Sequence, residues 1–569
     1  MRSLGVLSQF IVRRLKPTVI DMIFKTFTGI LIIVFLSSCG TKEKNRQNVF
    51  RYNESKGIPT LDPAFARNQT IIWPVNQLFN GLVQFNDSMH LQPCIARSWD
   101  ISQDGLTYIF HLRNDVYFHD HQVFPGGKGR KVVAEDFVYS LSRIIDPETA
   151  SPGAWVFQHV DRDHPSGKNG FYAPDDTTLI IFLKSPFPAF PGILSMPYCF
   201  VVPHEIVTYY GDEFRNNPVG TGPFYFKLWR EDEKLVLLKN QEYFERDREG
   251  NKLPYLDGVS ITFIKDKQSE FMEFMLGNID FLSGVHRAYK DELITRSGKL
   301  NPVHEKNIRL LSQPYLNTEY LGILVDTGRR DIIPEALLDR RVRQAINYGF
   351  DRERMMKYLR NNVGTPAVYG FIPEGIPSFH PGLVKGYTYQ PDRSRSLLIE
   401  AGYPNGEGME EIILTTTSDY LDLCEFIQHE LGTLGINIRI DVNTGAAFRS
   451  RMANARLAFF RGSWIADYPD AENYLSLFYS KNFSPSGPNY THYSNPEYDR
   501  LFEESLATTD DSLRYSLYWK MDQMIMDEAV VVPLYYDRVL RFIPAGLKGL
   551  GSNPMNLLSL KYAYWSINN

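Results

Sequence analysis

From Val49 to the C-terminus the chain alternates short period-two apolar runs with stretches of helical spacing, and turn residues punctuate each change. No linker, low-complexity block, solenoid-length repeat or membrane-length apolar run interrupts this pattern. A chain of 569 residues is too long for one ordinary core, so two or three domains are expected. With no linear boundary in sight, those domains must be assembled from discontinuous segments. Residues 106–116 show the strand pattern, with Leu106, Tyr108, Phe110 and Leu112 on one face. The preceding Ser102–Gly105 is turn chemistry and predicts a hairpin. Residues 134–145 place Phe137, Leu141 and Ile144 at helical spacing and stop at Asp146-Pro147. Strands are expected at 178–183, 235–240 and 259–265, the last followed by a helix over 269–276. Two helices are expected at 341–350 and 351–359, with Asp351 capping the second. Residues 412–417, 422–434 and 436–442 read as strand, helix, strand, a βαβ unit with Gly435 closing the helix.

The N-terminus follows a different logic. In Thr26–Gly40 (TFTGILIIVFLSSCG) an apolar run follows Lys25 and ends in Leu36-Ser37-Ser38-Cys39. A short apolar stretch behind a positive charge, closed by small residues, is a secretory signal rather than part of the fold. A spanning helix would need roughly 20 apolar residues, more than this run supplies. The Leu-Ser-Ser-Cys ending resembles the lipobox of bacterial lipoproteins. That resemblance implies a signal over residues 1–38, cleavage before Cys39, diacylation of its thiol and a tether over 39–48. Met22-Ile-Phe-Lys25 already forms a complete basic start, so translation from Met22 would suffice. Gly40-Thr41-Lys42 carries no acidic cluster, and an anchor facing the periplasm is expected.

The leader holds five of the 61 basic residues and one of the 66 acidic ones, so the mature chain carries a net charge of −9. That balance argues against nucleic acid as a partner and leaves no polybasic membrane patch. Cys94, Cys199 and Cys424 are far apart and lack metal-site spacing. One disulfide and three buried free thiols both fit them. The 33 tyrosines and 37 phenylalanines suit either large cores or an aromatic cleft. Catalytic layouts are missing: there is no GxSxG, HExxH, GxxxxGK[ST] or GxGxxG. No cofactor is implied. His119-Asp120-His121 reads as a solvated turn or as metal ligands, and Gly126–Gly129 as an exposed hairpin tip. Asp467, Asp470 and Glu472 form the tight carboxylate cluster, and two such groups could serve a hydrolase.

Several motifs, in order, carry a resemblance. Ala96–Asp120 (ARSWDISQDGLTYIFHLRNDVYFHD), the helix after it, Asn217–Phe226 (NPVGTGPFYF), Leu338–Arg352 (LDRRVRQAINYGFDR), Trp464–Leu475 (WIADYPDAENYL) and Tyr493–Leu501 (YSNPEYDRL) resemble the bacterial extracellular solute-binding proteins of family 5. These are the dipeptide and oligopeptide receptors of ABC importers. The resemblance spans essentially all of residues 53–565. It implies an α/β, periplasmic-binding-protein-like fold (type II, cluster C), with two lobes closing over a ligand and an extra accessory domain. Lobe I would comprise residues 49–77, 192–283 and 533–569, the accessory domain 78–191 and lobe II 284–532. Residues 530–536 (VVVPLYY) would be a hinge strand returning between lobes, although a buried core strand would look the same.

The family pattern also implies site residues. Asp467 matches the acid that pairs the peptide ammonium, Arg461 an arginine that can meet the ligand carboxylate, and Trp464 an aromatic lining the cavity; Tyr468 could line it too. Leu61-Asp62-Pro63 matches the family's opening motif and Leu78–Leu82 follows it. Between them oligopeptide receptors can place an acid near the peptide amine, and here that position is Arg67. Val133 stands where the family carries a helix-capping hydroxyl. The expected role is therefore non-enzymatic: a monomeric, lipid-anchored receptor in the periplasm or cell envelope that delivers peptides to the permease and ATPase subunits of an importer. Nickel complexes, glutathione and oligosaccharides are alternative cargoes within the family. A secreted hydrolase using Asp467 and Asp470, and a surface adhesin, are the alternatives of other classes.

Overall fold

The computed structural model describes residues 48–286 and 288–566; Cys39 and the expected signal lie outside them. The N-terminal strand Val49–Asn53 runs parallel to Gly258–Thr262, which continues antiparallel through Lys234–Lys239 to Phe224–Arg230. The expected hairpin is Ala96–Ile101 with Thr107–Leu112, extended by Thr178–Phe182 and Phe171–Asp175 into a second four-stranded sheet. Tyr108, Phe110 and Leu112 all face the core, as the period-two pattern requires. The helix Ala134–Ile145 packs on this sheet. It lacks a capping hydroxyl. Instead Asp136 accepts the Val133 N–H at 2.9 Å, and Arg130 holds Asp136 and Glu205 together. A carboxylate in the first turn thus satisfies one of the free N–H groups that every helix start exposes.

The third large sheet has the order Leu282–Ser283, Val531–Pro544, Ile308–Ile323, Phe459–Ile465, Ile412–Thr417, Ile438–Asn443. Its last pair is parallel and joined by the helix Leu421–Gly432, so the expected βαβ unit is present. Gly435 sits three residues past that helix with φ +87°, closing the turn into the next strand. Asp351 caps Arg352–Leu359 by accepting the Arg354 N–H.

Two strands dominate this sheet. Ile308–Ile323 has 16 residues and Val531–Pro544 has 14, and they pair antiparallel along most of their length. Their register breaks between Pro314 and Thr318. On one side of the break Ile308, Leu540 and Phe542 join an apolar cluster with Phe271 and Leu293. On the other, Leu321, Ile323, Val532 and Leu534 join one with Ile346, Leu414 and Ile427, while Leu316 and Tyr320 enter a second with Phe371 and Tyr518. One strand pair therefore threads separate cores. The largest cluster gathers Phe50, Tyr108, Phe137, Leu237 and Ile543, so it runs through segments 49–77, 78–191 and 192–283 alike.

Two readings change. His119 is not on a solvated turn: it is buried, its Nε2–H donates to Gly222 O at 2.9 Å and its Nδ1 accepts the Gly220 N–H at 3.4 Å. Burial pushes its pKa down to about 4, so the ring is neutral and clamps the Gly-Thr-Gly-Pro turn. That turn needs its glycines, because a Cβ at Gly220 or Gly222 would sit 2.2 or 2.4 Å from the carbonyl oxygens of Leu78 or Gln77. Cys94, Cys199 and Cys424 are buried free thiols, which removes the disulfide alternative.

The opening motif is held by a buried ion pair. Asp62 caps the turn Pro63–Phe65 through the Ala64 N–H and receives both terminal nitrogens of Arg143, at 2.8 and 2.5 Å. Removing one partner leaves a buried charge unpaired. Arg143→Met should therefore lower unfolding stability by about 3–5 kcal/mol in urea titration, and an unchanged midpoint would contradict this account.

Candidate functional site

The strand Phe459–Ile465 ends in a loop that turns into the short helix Glu472–Leu475. Asn473 on that helix ties the loop together. Its Oδ1 accepts the Trp464 indole N–H at 2.9 Å and the Asp467 backbone N–H at 3.1 Å, and its Nδ2 donates to Asp467 Oδ2 at 3.2 Å. Trp464 and Asp467 are thus brought together, as expected, by a residue that the sequence reading did not single out.

The three carboxylates of the loop differ in their surroundings. Asp470 accepts the Tyr518 hydroxyl at 2.8 Å and the Glu472 N–H at 2.9 Å, and lies 3.5 Å from Arg514. Glu472 is buried and accepts the Tyr468 hydroxyl; burial pushes its pKa up to about 7. Asp467 makes no ion pair within 4.0 Å among the described residues. Burial pushes its pKa up to about 6, offset in part by the Asn473 amide. A half-buried carboxylate whose side-chain partner is an amide is set to gain from an arriving cation. Asp470, already occupied by Tyr518 and Arg514, has no such vacancy, so the geometry gives little support to a catalytic Asp467/Asp470 pair.

Tyr468 is 4% exposed, and its ring belongs to the largest cluster, the one built on segments 49–263, rather than to that of its own loop. The Asp467 loop therefore contacts that cluster directly through Tyr468. Tyr198, in the turn Pro197–Cys199, belongs to the same cluster. This turn packs on Pro63–Phe65, the turn held by the Asp62–Arg143 pair. Arg67 follows that turn, its N–H donating to Phe65 O at 2.8 Å, and is exposed. Burial raises the Tyr198 hydroxyl pKa; the charge of Asp467 raises it further and that of Arg67 lowers it. Arg67 and Asp467 thus act on one hydroxyl with opposite sign. Tyr198 carried no signal in the sequence, since nothing in its neighbourhood announces a site.

Arg461 sits elsewhere. It is 9% exposed and ion-paired with Glu319 on the neighbouring long strand, and its guanidinium lies 3.2 Å from the Tyr420 ring centroid. Asn317 donates to the other Glu319 oxygen at 3.0 Å. A ligand carboxylate would have to compete with Glu319 for this arginine. A separate cavity of about 710 Å³ opens beside Gln84, Asp87, Arg541 and Lys561, and Lys561 is paired to Glu245 at 2.5 Å. None of the Asp467 loop lines it.

This architecture has known relatives. The model of bacterial extracellular solute-binding proteins, family 5 Middle, matches residues 90–486. The chain belongs to the family 5 solute-binding proteins. Among curated relatives, the periplasmic oligopeptide-binding protein OppA of Salmonella typhimurium is 26% identical, over 92% of this chain and 94% of its own. The heme-binding protein A of Haemophilus influenzae is also 26% identical, over 91% and 92%. Among solved structures, the periplasmic binding protein DppA of Helicobacter pylori, in complex with the peptide STSA, superposes with a TM-score of 0.74 at 26% identity, covering 91% of this chain and 98% of that one. The fold is accordingly the two-lobed periplasmic-binding-protein fold with an extra accessory domain. The matched region holds the motif run from Ala96 to Leu475.

Proposed function

We propose that this family 5 protein is the receptor of an ABC importer and captures short peptides between its two lobes for delivery to the permease and its ATPase. The observation that carries the cargo is Asp467, desolvated, oriented by Asn473 and lacking a protein cation. A peptide brings an ammonium that restores the missing charge, and its backbone offers donors and acceptors that a sequence-blind receptor can read. Residues 49–77, 192–283 and 533–569 form lobe I in this reading, 78–191 the accessory domain and 284–532 lobe II. The hinge is the register break between Pro314 and Thr318, where the two long strands pass from one set of cores to the other. Tyr468 and Trp464 wall the ligand site, and Arg461 stabilises lobe II through Glu319. The protein works as a monomer, anchored by a lipid on Cys39 with its binding domain in the periplasm.

Two experiments test this. Asp467→Asn keeps the shape of the side chain and removes its charge. In calorimetry the wild type should bind a free-amine peptide about 2–5 kcal/mol more tightly than its N-acetyl form, and the variant should not distinguish the two. A variant that binds the free amine as tightly as wild type would make Asp467 structural only. For the anchor, an alkynyl fatty acid should label the wild type in cells and leave Cys39→Ala unlabelled. Equal labelling of both would remove Cys39 as the lipid site.

A further inference from the structure

Arg541, on the strand Val531–Pro544, is a buried cation without a carboxylate. It is 1% exposed and makes no ion pair within 4.0 Å among the described residues. Its Nε–H and one Nη2–H donate to Asn556 Oδ1 at 3.2 and 2.9 Å. The other Nη2–H donates to Leu557 O at 2.8 Å, and one Nη1–H to Gly551 O at 2.6 Å. Four of the five guanidinium N–H groups thus meet neutral oxygens, and one on Nη1 is left over. Burial pushes its pKa down to about 10, against the charge of Asp87. Buried charges are ordinarily paired, because an uncompensated one is costly. Arg541 lines the cavity of about 710 Å³. Arg352 is the instructive contrast: it is equally buried and held by neutral oxygens, but it stands over the Phe350 ring at 4.3 Å and lines no part of this cavity.

Lys561 lines the same cavity and is 8% exposed. Its Nζ donates to Gln84 Oε1 at 2.8 Å and to Glu245 Oε2 at 2.5 Å, which leaves one of its three N–H groups. Glu245 neutralises Lys561; no carboxylate does so for Arg541 at contact distance. The buried amides of the walls are already spent. Gln77 donates to Trp73 O and Leu558 O and accepts the Leu560 N–H. Asn80 donates to the Tyr243 hydroxyl and accepts that of Thr221. The spare donors therefore sit on two cations, which favours an oxyanion over a neutral hydroxyl. Among the other charged lining residues, Arg246 and Arg248 offset Asp247 and Glu249. That leaves Asp87, which is exposed. Its carboxylate packs on Gly551, where a Cβ would sit 1.7 Å from Asp87 Oδ2, and Gly551 O is the acceptor of Arg541 Nη1. Asp87 comes this near to the guanidinium without forming an ion pair.

We propose that this cavity is a second ligand site, separate from Asp467, which takes the carboxylate or phosphate group of a small anion on the spare N–H groups of Arg541 and Lys561. The anion supplies the counter-charge that Arg541 lacks, and Asp87 opposes it as an exposed like charge. The cavity walls come from residues 76–94, 195–200, 223–255 and 541–562, so a bound anion ties these segments together. It does so on one of the two long strands, where Arg541 stands opposite Leu311 of Ile308–Ile323. The site is independent of the peptide cargo.

Inorganic phosphate and malonate are the probes, titrated into the protein at constant ionic strength with sodium chloride as the reference. Calorimetry and the thermal unfolding midpoint are the readouts. At least one of the two anions should bind the wild type saturably and raise its midpoint above the chloride reference. Binding of phosphate alone assigns a phosphate site, of malonate alone a carboxylate site, and of both a general oxyanion site. Asp87→Asn removes the exposed like charge and should bind the same anion about 5-fold more tightly. Arg541→Gln should lose the binding; because Arg541 also holds Gly551 and Leu557, Asp87→Asn decides the matter if Arg541→Gln does not fold. Absence of saturable binding of either anion by the wild type overturns the site. Equal affinity in the wild type and Asp87→Asn, or undiminished binding by folded Arg541→Gln, overturns it as well.

Discussion

The pairing of Ile308–Ile323 with Val531–Pro544 is the constraint on which the rest of the molecule depends. These strands are long enough to leave one set of cores and enter another, and the break between Pro314 and Thr318 gives the pair a place to bend. The strand Phe459–Ile465 adds to the far end of Ile308–Ile323, from Asn317 to Ile323. Its exit therefore lies beside the break, which is where the Asp467 loop begins.

The loop itself is a balance of unfavourable and favourable terms. Three carboxylates lie within six residues, and burial raises the pKa of two of them. Tyr518 and Arg514 hold Asp470, and Tyr468 holds Glu472, whereas Asp467 has only Asn473. A half-buried carboxylate with a raised pKa favours folding when protonated, and that contribution is lost as pH rises through its folded pKa, about 6 for Asp467. At neutral pH the empty protein thus holds an ionised group at a cost, and a cation removes that cost. Binding sites commonly keep such locally unfavourable groups, because the ligand supplies what the protein lacks.

Legibility in the sequence followed local signals. Ala134–Ile145 was bounded correctly because apolar spacing and the Asp146-Pro147 stop coincide, and Ile412–Thr417 because it is an unbroken β-prone run between turns. The sequence pattern marks the return strand only as far as Tyr536. It continues through Asp537 and Arg538 because Asp537 is paired with Arg360 at 3.0 Å, a partner 177 residues away. Ile308–Ile323 leaves no local strand signal: Pro314, Asn317 and Glu319 break its apolar pattern, and the buried face changes at the register shift. Within the candidate site, Asp467, Trp464 and Tyr468 come from one contiguous motif. Asn473 lay in the same motif and could have been found from its helical offset to the loop. Tyr198 and the Glu319 counter-ion of Arg461 depend on tertiary neighbours that no local pattern encodes.

The central claim is that Asp467 is an unpaired acid awaiting an ammonium, and proton release on binding tests it most directly. With its pKa near 6 in the empty protein, about half of the Asp467 side chains carry a proton at that pH, and an arriving ammonium should expel it. Calorimetry at pH 6 in buffers of different ionisation enthalpy counts the protons released. The account predicts about half a proton per free-amine peptide in the wild type and close to none in Asp467→Asn. Binding with no proton release in the wild type, or with the same release in both proteins, would contradict it.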